Sequence, residues 1–107
     1  MVDYRHYTYR VTWSEEDGEH VALCAEFPGL SYLAETPAEA LDNMIELVRE
    51  VIEDMQSGGE TVPEPLSDRN YSGKFMVRVP PEQHKALAIR AAELGVSLNR
   101  LISSKLS

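Results

Sequence analysis

Three side chains that could bind the edges of nucleic-acid bases alternate within one short segment of the chain. Long basic or flexible residues occupy the even positions of residues 73–79 and apolar residues the odd positions: Lys74, Met76 and Arg78 against Phe75, Val77 and Val79. This period of two predicts a half-buried strand with one apolar face. Lysine and arginine side chains on the other face could donate hydrogen bonds to guanine O6 and N7 in the DNA major groove.

Two helices are predicted to follow this strand. Pro80 and Pro81 end it, and Pro81 can begin a helix because the first helical residue needs no amide hydrogen. Apolar or small residues then recur at helical spacing until Gly95, which supplies a left-handed stop. Ser97 is predicted to cap a second helix over residues 98–106. The predicted order is therefore strand, helix, helix.

A lone strand with two short helices cannot bury a core or pair its own backbone groups. Antiparallel pairing with the same strand of a second copy would solve both problems. Residues 73–80 and 95–99 resemble a ribbon-helix-helix domain, which implies a homodimer whose two-stranded ribbon enters the major groove. On that resemblance Lys74, Met76 and Arg78 would contact base edges. Ser97 and Asn99, at a helix N-terminus, would hold a DNA phosphate.

The alternative for Lys74 and Arg78 is that they are ordinary solvated charges on an edge strand of an α+β domain. The distribution of charge favours nucleic acid. From residue 72 onward the chain has six basic and two acidic residues, a net charge of +4, whereas the whole chain carries -8. A basic segment in an acidic chain suggests that only this end binds DNA.

The first part of the chain has the pattern of an antiparallel meander. Residues 7–13 alternate between apolar and polar positions, and Asp17-Gly18 is a favourable turn before a second strand. That strand is predicted over residues 20–27, with Val21, Leu23 and Phe27 on its apolar face, and a short third one over residues 30–34. We expect three strands in sequential order.

One long helix should cover this sheet. Thr36 can cap it and Glu39 can reach back to the Thr36 amide, while Pro37 supplies the first helical residue. The helix should run to about Met55. Its predicted apolar stripe consists of Leu41, Met44, Ile45, Val48, Ile52 and Met55. The predicted fold class is therefore α+β.

A linker with room for a fourth short strand is predicted over residues 58–71, because glycine and proline interrupt regular structure there. Charge reverses across it. Residues 1–66 hold 15 acidic and 3 basic residues, a net charge of -12, and residues 67–107 hold 3 and 7. Two domains are therefore expected, residues 1–66 and residues 67–107.

The first half is similar to the N-terminal domain of HicB-family antitoxins, through residues 26–30 leading into residues 36–41. Together with the basic C-terminal part, the resemblance spans nearly the whole chain. It implies a truncated relative of the ribonuclease H fold that binds a small basic ribonuclease toxin, HicA, joined to a domain that represses the operon encoding both. The implied assembly is a homodimer or a dimer of dimers. Trp13 and Tyr32 are candidate toxin contacts.

An enzyme is the main competing class, since a ribonuclease H relative could hold two magnesium ions on converging carboxylates. The strand patterns offer only Asp3, Glu19 and Glu26, all near strand ends, and residues 15–17 form an acidic turn that is better explained as a solvated loop. No enzymatic activity and no cofactor are therefore predicted. A ligand-sensing or stand-alone ribbon-helix-helix repressor, without a toxin partner, remains the alternative.

Cysteine and histidine usage argues against a metal site. Cys24 is the only cysteine, which excludes an internal disulfide, and it is expected to fill the core. The histidines His6, His20 and His84 lack metal-ligand spacing. Neither a signal peptide nor a membrane span is predicted, so a cytoplasmic protein is expected.

Overall fold

The computed structural model describes residues 2–107 and divides the chain into two compact units, the first extending to Tyr71 and the second spanning Ser72–Ser107. The first unit contains a three-stranded antiparallel sheet and one helix, and the second contains two helices. The α+β class predicted from the sequence is confirmed. Among the helices of the described residues, none is long and apolar enough to cross a membrane.

The sheet of the first unit is the predicted meander. Its strands are β1 (Tyr9–Ser14), β2 (Glu19–Cys24) and β3 (Ser31–Ala34), and neighbouring strands run antiparallel in the order β1-β2-β3. The β1–β2 turn closes with a 2.9 Å hydrogen bond from the amide of Gly18 to the carbonyl of Ser14. Gly18 has a φ of 64°, which a residue with a Cβ rarely adopts, so glycine suits this turn.

The predicted apolar face of β2 was wrong. Ala22 and Cys24 point to the core and are 0% and 2% exposed, whereas Val21 and Leu23 lie on the opposite face and are only half-buried. Both faces of β2 are apolar, so alternation alone could not identify the covered one. The small side chains take the covered face because they allow the helix to approach the sheet closely.

Two aromatic residues assigned to strands lie just outside them. Tyr7 follows a single 3₁₀ turn over Tyr4–His6, and Phe27 lies in the turn after β2. Their rings pack edge to face with centroids 5.3 Å apart, and both join the core of the first unit. They close one end of the sheet without contributing to its ladder.

The covering helix, α1, spans Pro37–Ser57. As predicted, the Thr36 hydroxyl accepts a hydrogen bond from the Glu39 amide, at 3.2 Å. The reciprocal bond from the Thr36 amide to the Glu39 carboxylate is not formed within the described residues. The α1 residues buried against the sheet are Ala40, Met44, Val48 and Ile52. Within the predicted stripe Met44, Val48 and Ile52 are thus buried, whereas Leu41, Ile45 and Met55 are half-buried.

Residues 58–71 are not a free linker over their whole length. Pro65 is buried, and the Tyr7 hydroxyl donates a 2.6 Å hydrogen bond to the Pro63 carbonyl. A 3₁₀ turn over Leu66–Asp68 takes the place of regular structure, and this fully described stretch contains no fourth strand. Most of the segment therefore folds as part of the first unit.

The second unit contains the two predicted helices, α2 (Pro81–Leu94) and α3 (Leu98–Leu106). Gly95 ends α2 in the left-handed conformation, with a φ of 68°. The Ser97 hydroxyl caps α3 by accepting a hydrogen bond from the Arg100 amide at 3.1 Å. The end of α2 and the start of α3 thus lie at the glycine and the serine that predicted them.

The segment before α2 forms no backbone ladder in the single chain. Residues 73–79 lack strand pairing and are all exposed; Phe75 is 75% exposed and Met76 is 87% exposed. The second unit buries only two hydrophobic residues, Ala91 and Leu101. An exposed apolar run beside so small a core is what an unpaired half of a dimer would present.

Candidate functional site

The basic side chains of the second unit are free of ionic partners. Lys74 and Arg78 are exposed, and neither forms an ion pair with any of the described residues. Met76 lies between them and is also exposed. Charged groups that are not neutralised within the chain remain available to phosphates or base edges.

The structure brings part of the predicted DNA-binding set together. Lys74, Met76 and Asn99 line one open groove of the second unit, together with α3 residues such as Ser103. Arg78 lies outside that groove. Ser97 is already used as the α3 cap, so its hydroxyl has a structural role whether or not the helix N-terminus meets a phosphate.

A second groove in this unit is largely apolar. Its walls come from the odd positions of the exposed segment and from both helices: Phe75, Val77, Val79, Gln83, His84, Leu87, Leu98, Ile102, Lys105 and Leu106. In the single chain, apolar side chains of α2 and α3 therefore lie beside those of the exposed segment 73–79. Such a surface is suited to burying a complementary apolar surface.

Six of the 16 acidic residues of the first unit lie on α1, and all six are exposed. Arg49 pairs with Glu46 and, at 2.6 Å, with Glu53. The hydrogen bond from Arg49 lowers the pKa of Glu46. Asp42 and Asp54 are exposed and have no ionic partner among the described residues. One arginine thus neutralises only part of an acidic helix surface.

Trp13 and Tyr32, the candidate toxin contacts, lie on the two edge strands of the sheet. Both are exposed, at 51% and 39%. The Trp13 indole donates a 2.6 Å hydrogen bond to the Glu15 carboxylate and packs edge to face on His20 with centroids 5.1 Å apart. Both lie on the side of the sheet that α1 covers. Because β1 and β3 are the two edge strands, Trp13 and Tyr32 lie at opposite edges of that side.

Glu26, which was considered and rejected as part of a metal site, joins distant parts of the first unit. Its carboxylate accepts hydrogen bonds from the amides of Thr8, at 3.0 Å, and Leu66, at 2.9 Å. Burial alone would raise the pKa of Glu26, but these amide donors outweigh burial and lower it. Nothing in the sequence signals this contact, because Glu26 and Leu66 are 40 residues apart.

The other candidate catalytic and metal-binding groups are not assembled into a site. The Asp3 carboxylate binds the Arg5 guanidinium at 2.8 Å, and these hydrogen bonds lower the pKa of Asp3 to about 2. Burial raises the pKa of the Cys24 thiol to about 11, which fits its predicted place in the core. Within residues 2–107 no three histidine, cysteine or carboxylate groups are placed to hold a metal ion.

Searches of curated proteins and of solved structures return no match to this chain. Residues 57–106, just under half of the chain, match the sequence model of the HicB family. The matched region contains the exposed segment 73–79, α2 and α3. It thus contains the open groove lined by Lys74 and the apolar groove described above. The match supports a HicB-family protein with a role related to toxin–antitoxin systems.

Proposed function

We propose that this protein is an antitoxin that binds and inhibits a small basic HicA-like ribonuclease and represses its own operon by binding operator DNA. The observation that carries the proposal is the reversal of charge between two compact units in a HicB-family chain. Residues 1–71 hold 16 acidic and 4 basic residues, a net charge of -12. Residues 72–107 hold 2 acidic and 6 basic residues, a net charge of +4.

The second unit is proposed to act as a ribbon-helix-helix homodimer. Residues 73–79 of two copies would pair antiparallel, which would satisfy backbone groups that one chain leaves unpaired. The apolar groove would then close, since Phe75 and Val77 would pack onto Leu98 and Ile102 of both copies. The support is the coincidence of an unpaired segment and an apolar groove along its odd positions.

The proposed DNA contacts are the side chains that would face away from the helices in the paired ribbon. Lys74, Met76 and Arg78 would contact base edges, because pairing of the strands turns the even positions away from the helices. Asn99 would contact a phosphate beside the N-terminus of α3, where Ser97 caps the helix. A net charge of +4 on this unit favours association with the DNA backbone.

The first unit is proposed to hold the toxin. Its net charge of -12 repels DNA and attracts a basic protein, and this attraction raises the rate of encounter more than the final affinity. The functional boundary is drawn after Tyr71, because residues 67–71 fold with the first unit. An enzymatic role is not proposed, since the HicB family is generally non-enzymatic.

The test begins with the reading frame that neighbours the gene for this chain. It should encode a small, strongly basic protein whose expression cleaves RNA and stops growth. Co-expression with the full chain, or with residues 1–71 alone, should restore growth, and residues 72–107 should not. The full chain should also bind the DNA upstream of the two genes in a gel-shift assay.

Two results would contradict the proposal. Failure of the folded full chain to bind or inhibit a basic, growth-inhibiting neighbour would remove the antitoxin role. DNA binding without any such neighbour would favour a ligand-sensing or stand-alone repressor.

A further inference from the structure

We infer that the toxin binds the open face of the sheet, defined as the side opposite α1, through an apolar centre with an acidic rim. The inference deepens the proposed function and rests on it. The open face carries Arg10, Thr12, Val21, Leu23, Ser31 and Leu33, which alternate with the residues that face α1.

The register places these side chains in rows across the three strands. Thr12 pairs with Val21, which pairs with Leu33, so these three form a row through the middle of the open face. The neighbouring row runs from Arg10 through Leu23 to the third strand. A sheet face that is left to solvent is normally polar, yet here its central strand contributes two large apolar side chains.

Exposure shows that no other part of the first unit fully covers this centre. Leu33 is 42% exposed, and Val21 and Leu23 are half-buried although they lie on the middle strand. Ala22 and Cys24, which alternate with them toward α1, are buried. The central strand is therefore apolar on both faces, as strands covered on both sides are, but only one face has its cover within the unit.

The charged residues around the open face indicate which kind of partner it would bind. Glu19 pairs with Ser14 beside the row of Thr12. In the adjacent β1–β2 turn the Asp17 carboxylate accepts a 2.8 Å hydrogen bond from the Ser14 hydroxyl on the same face, whereas the Glu15 carboxylate binds Trp13 on the helix side. Arg10 is the only basic residue on the face.

A basic protein with an exposed apolar anchor would satisfy both features of the open face. A second copy of this chain fits less well, because each copy would bring the carboxylates of Asp17 and Glu19 to the contact against one arginine, Arg10. The partner of this face is therefore assigned as the basic ribonuclease, and the helix-side rims at Trp13 and Tyr32 are not its main contact.

Two adjacent residues of β3 provide a matched test. Leu33 and Tyr32 have similar exposure, 42% and 39%, but point to opposite faces of the same strand. Leu33→Lys and Tyr32→Lys each add one positive charge at nearly the same place, so a difference between them reports local contact. Thr12→Lys, on the opposite edge strand, probes the open face without removing an apolar side chain.

The measurement is the affinity of the full-length variants for the small basic protein encoded beside this chain, by calorimetry with a catalytically inactive form of that protein. Leu33→Lys should weaken binding by about tenfold to a hundredfold, the effect of losing one buried leucine contact. Thr12→Lys should weaken it in the same direction, and Tyr32→Lys should remain within about threefold of the wild type. Circular dichroism and thermal unfolding check that the first unit of each variant is folded.

The other outcomes separate the inference from the proposed function. Equal affinity of Leu33→Lys, Thr12→Lys and wild type would overturn the inference and leave the antitoxin role intact. A larger loss for Tyr32→Lys would overturn it in favour of the helix-side rim. A smaller oligomer for both open-face variants would assign the face to a second copy. No binding by the wild type would overturn the proposed function together with the inference.

Discussion

The two units of this chain differ in how much of their stability each can supply alone. The first unit buries eight residues in one cluster, from Tyr7 in the segment before β1 to Ile52 in α1. The second unit buries only Ala91 and Leu101, and it exposes most of its larger apolar side chains. Its 36 residues are also few for an independent core. The first unit therefore has a hydrophobic core of its own, whereas the second buries little within the single chain.

The same contrast extends to function. An apolar surface that is closed by an identical copy needs no charge to select its partner, and the apolar groove of the second unit is lined by no acidic residue. The first unit combines exposed apolar groups with strong negative charge, as the proposed recognition of a basic protein requires. The proposals of self-association and of toxin binding thus rest on surfaces of different composition.

The largest effect is expected from Phe75→Asp. A charge in the apolar groove would have to be buried unpaired in the dimer, so the second unit should dissociate and unfold and DNA binding should be lost. Sedimentation and gel-shift assays on the full chain measure both. The first unit should keep its sheet and helix by circular dichroism.

Ile89→Asp is the matched control for Phe75→Asp. Ile89 is also apolar and exposed in the second unit, at 49%, but it does not line the apolar groove. It should leave the dimer unchanged. A Phe75→Asp protein that still forms dimers, or an Ile89→Asp protein that does not, would break the assignment of the groove as the dimer contact.

The next effect concerns the self-contained core of the first unit. Met44 is 0% exposed in the centre of α1, and Met44→Ala should lower the free energy of unfolding of this unit by about 2 to 5 kcal/mol. Because the core lies within one chain, the loss should not depend on protein concentration. Denaturant titration at two concentrations tests this, with the exposed Met76→Ala as a control expected to change stability by less than about 0.5 kcal/mol. A loss of stability that depends on protein concentration would contradict this, because it would show that the first unit needs a second copy to form its core.

The elements of the fold were predictable where the signal is local. Thr36 with Pro37 marks the start of α1, and Gly95 with Ser97 marks the break between α2 and α3, because each residue acts on backbone groups within a few positions of itself. The exposed segment 73–79 was predicted as a strand whose partner lies in another copy. It has no ladder in the single chain, and its pairing stays a prediction.

Long-range arrangement was predictable only in part. The covered face of β2 was missed because Val21 and Leu23 compete with Ala22 and Cys24 for the core, and helix approach decides between them. The attachment of residues 62–68 to the first unit was missed because the Glu26 contact joins polar groups far apart in sequence. The open face was not identified from the sequence, because its residues Val21 and Leu23 were predicted to face the core.

A smaller effect is expected for Arg78→Ala, which tests the DNA assignment of the second unit. Loss of a bidentate contact to a base should cost about 1 to 3 kcal/mol in operator affinity and relax the preference for that sequence. Asn99→Ala, which would remove a phosphate contact, should weaken operator and random DNA alike. Fluorescence anisotropy with both DNAs separates the two. Equal selectivity for Arg78→Ala and wild type would contradict its role in base recognition.

The smallest effect concerns the contact that holds residues 62–68 to the first unit. The pKa of Glu26 is lowered in the folded protein, so its stabilising contribution is present above the ordinary pKa of glutamate, about 4.3, and is lost as pH falls through the lower folded value. Glu26→Gln should lower the free energy of unfolding of the first unit by about 1 to 2 kcal/mol at neutral pH, since the amides of Thr8 and Leu66 lose a charged acceptor. The difference from wild type should shrink as the pH falls below that range, because the wild-type carboxylate is then protonated too. Glu64→Gln is the control, as the exposed Glu64 reaches only Arg69 at 4.0 Å and should change stability little at any pH. The prediction is wrong if the difference in free energy of unfolding between Glu26→Gln and wild type stays constant down to the lowest pH at which the protein is folded. Packing of the side chain, and not its charge, would then hold the segment in place.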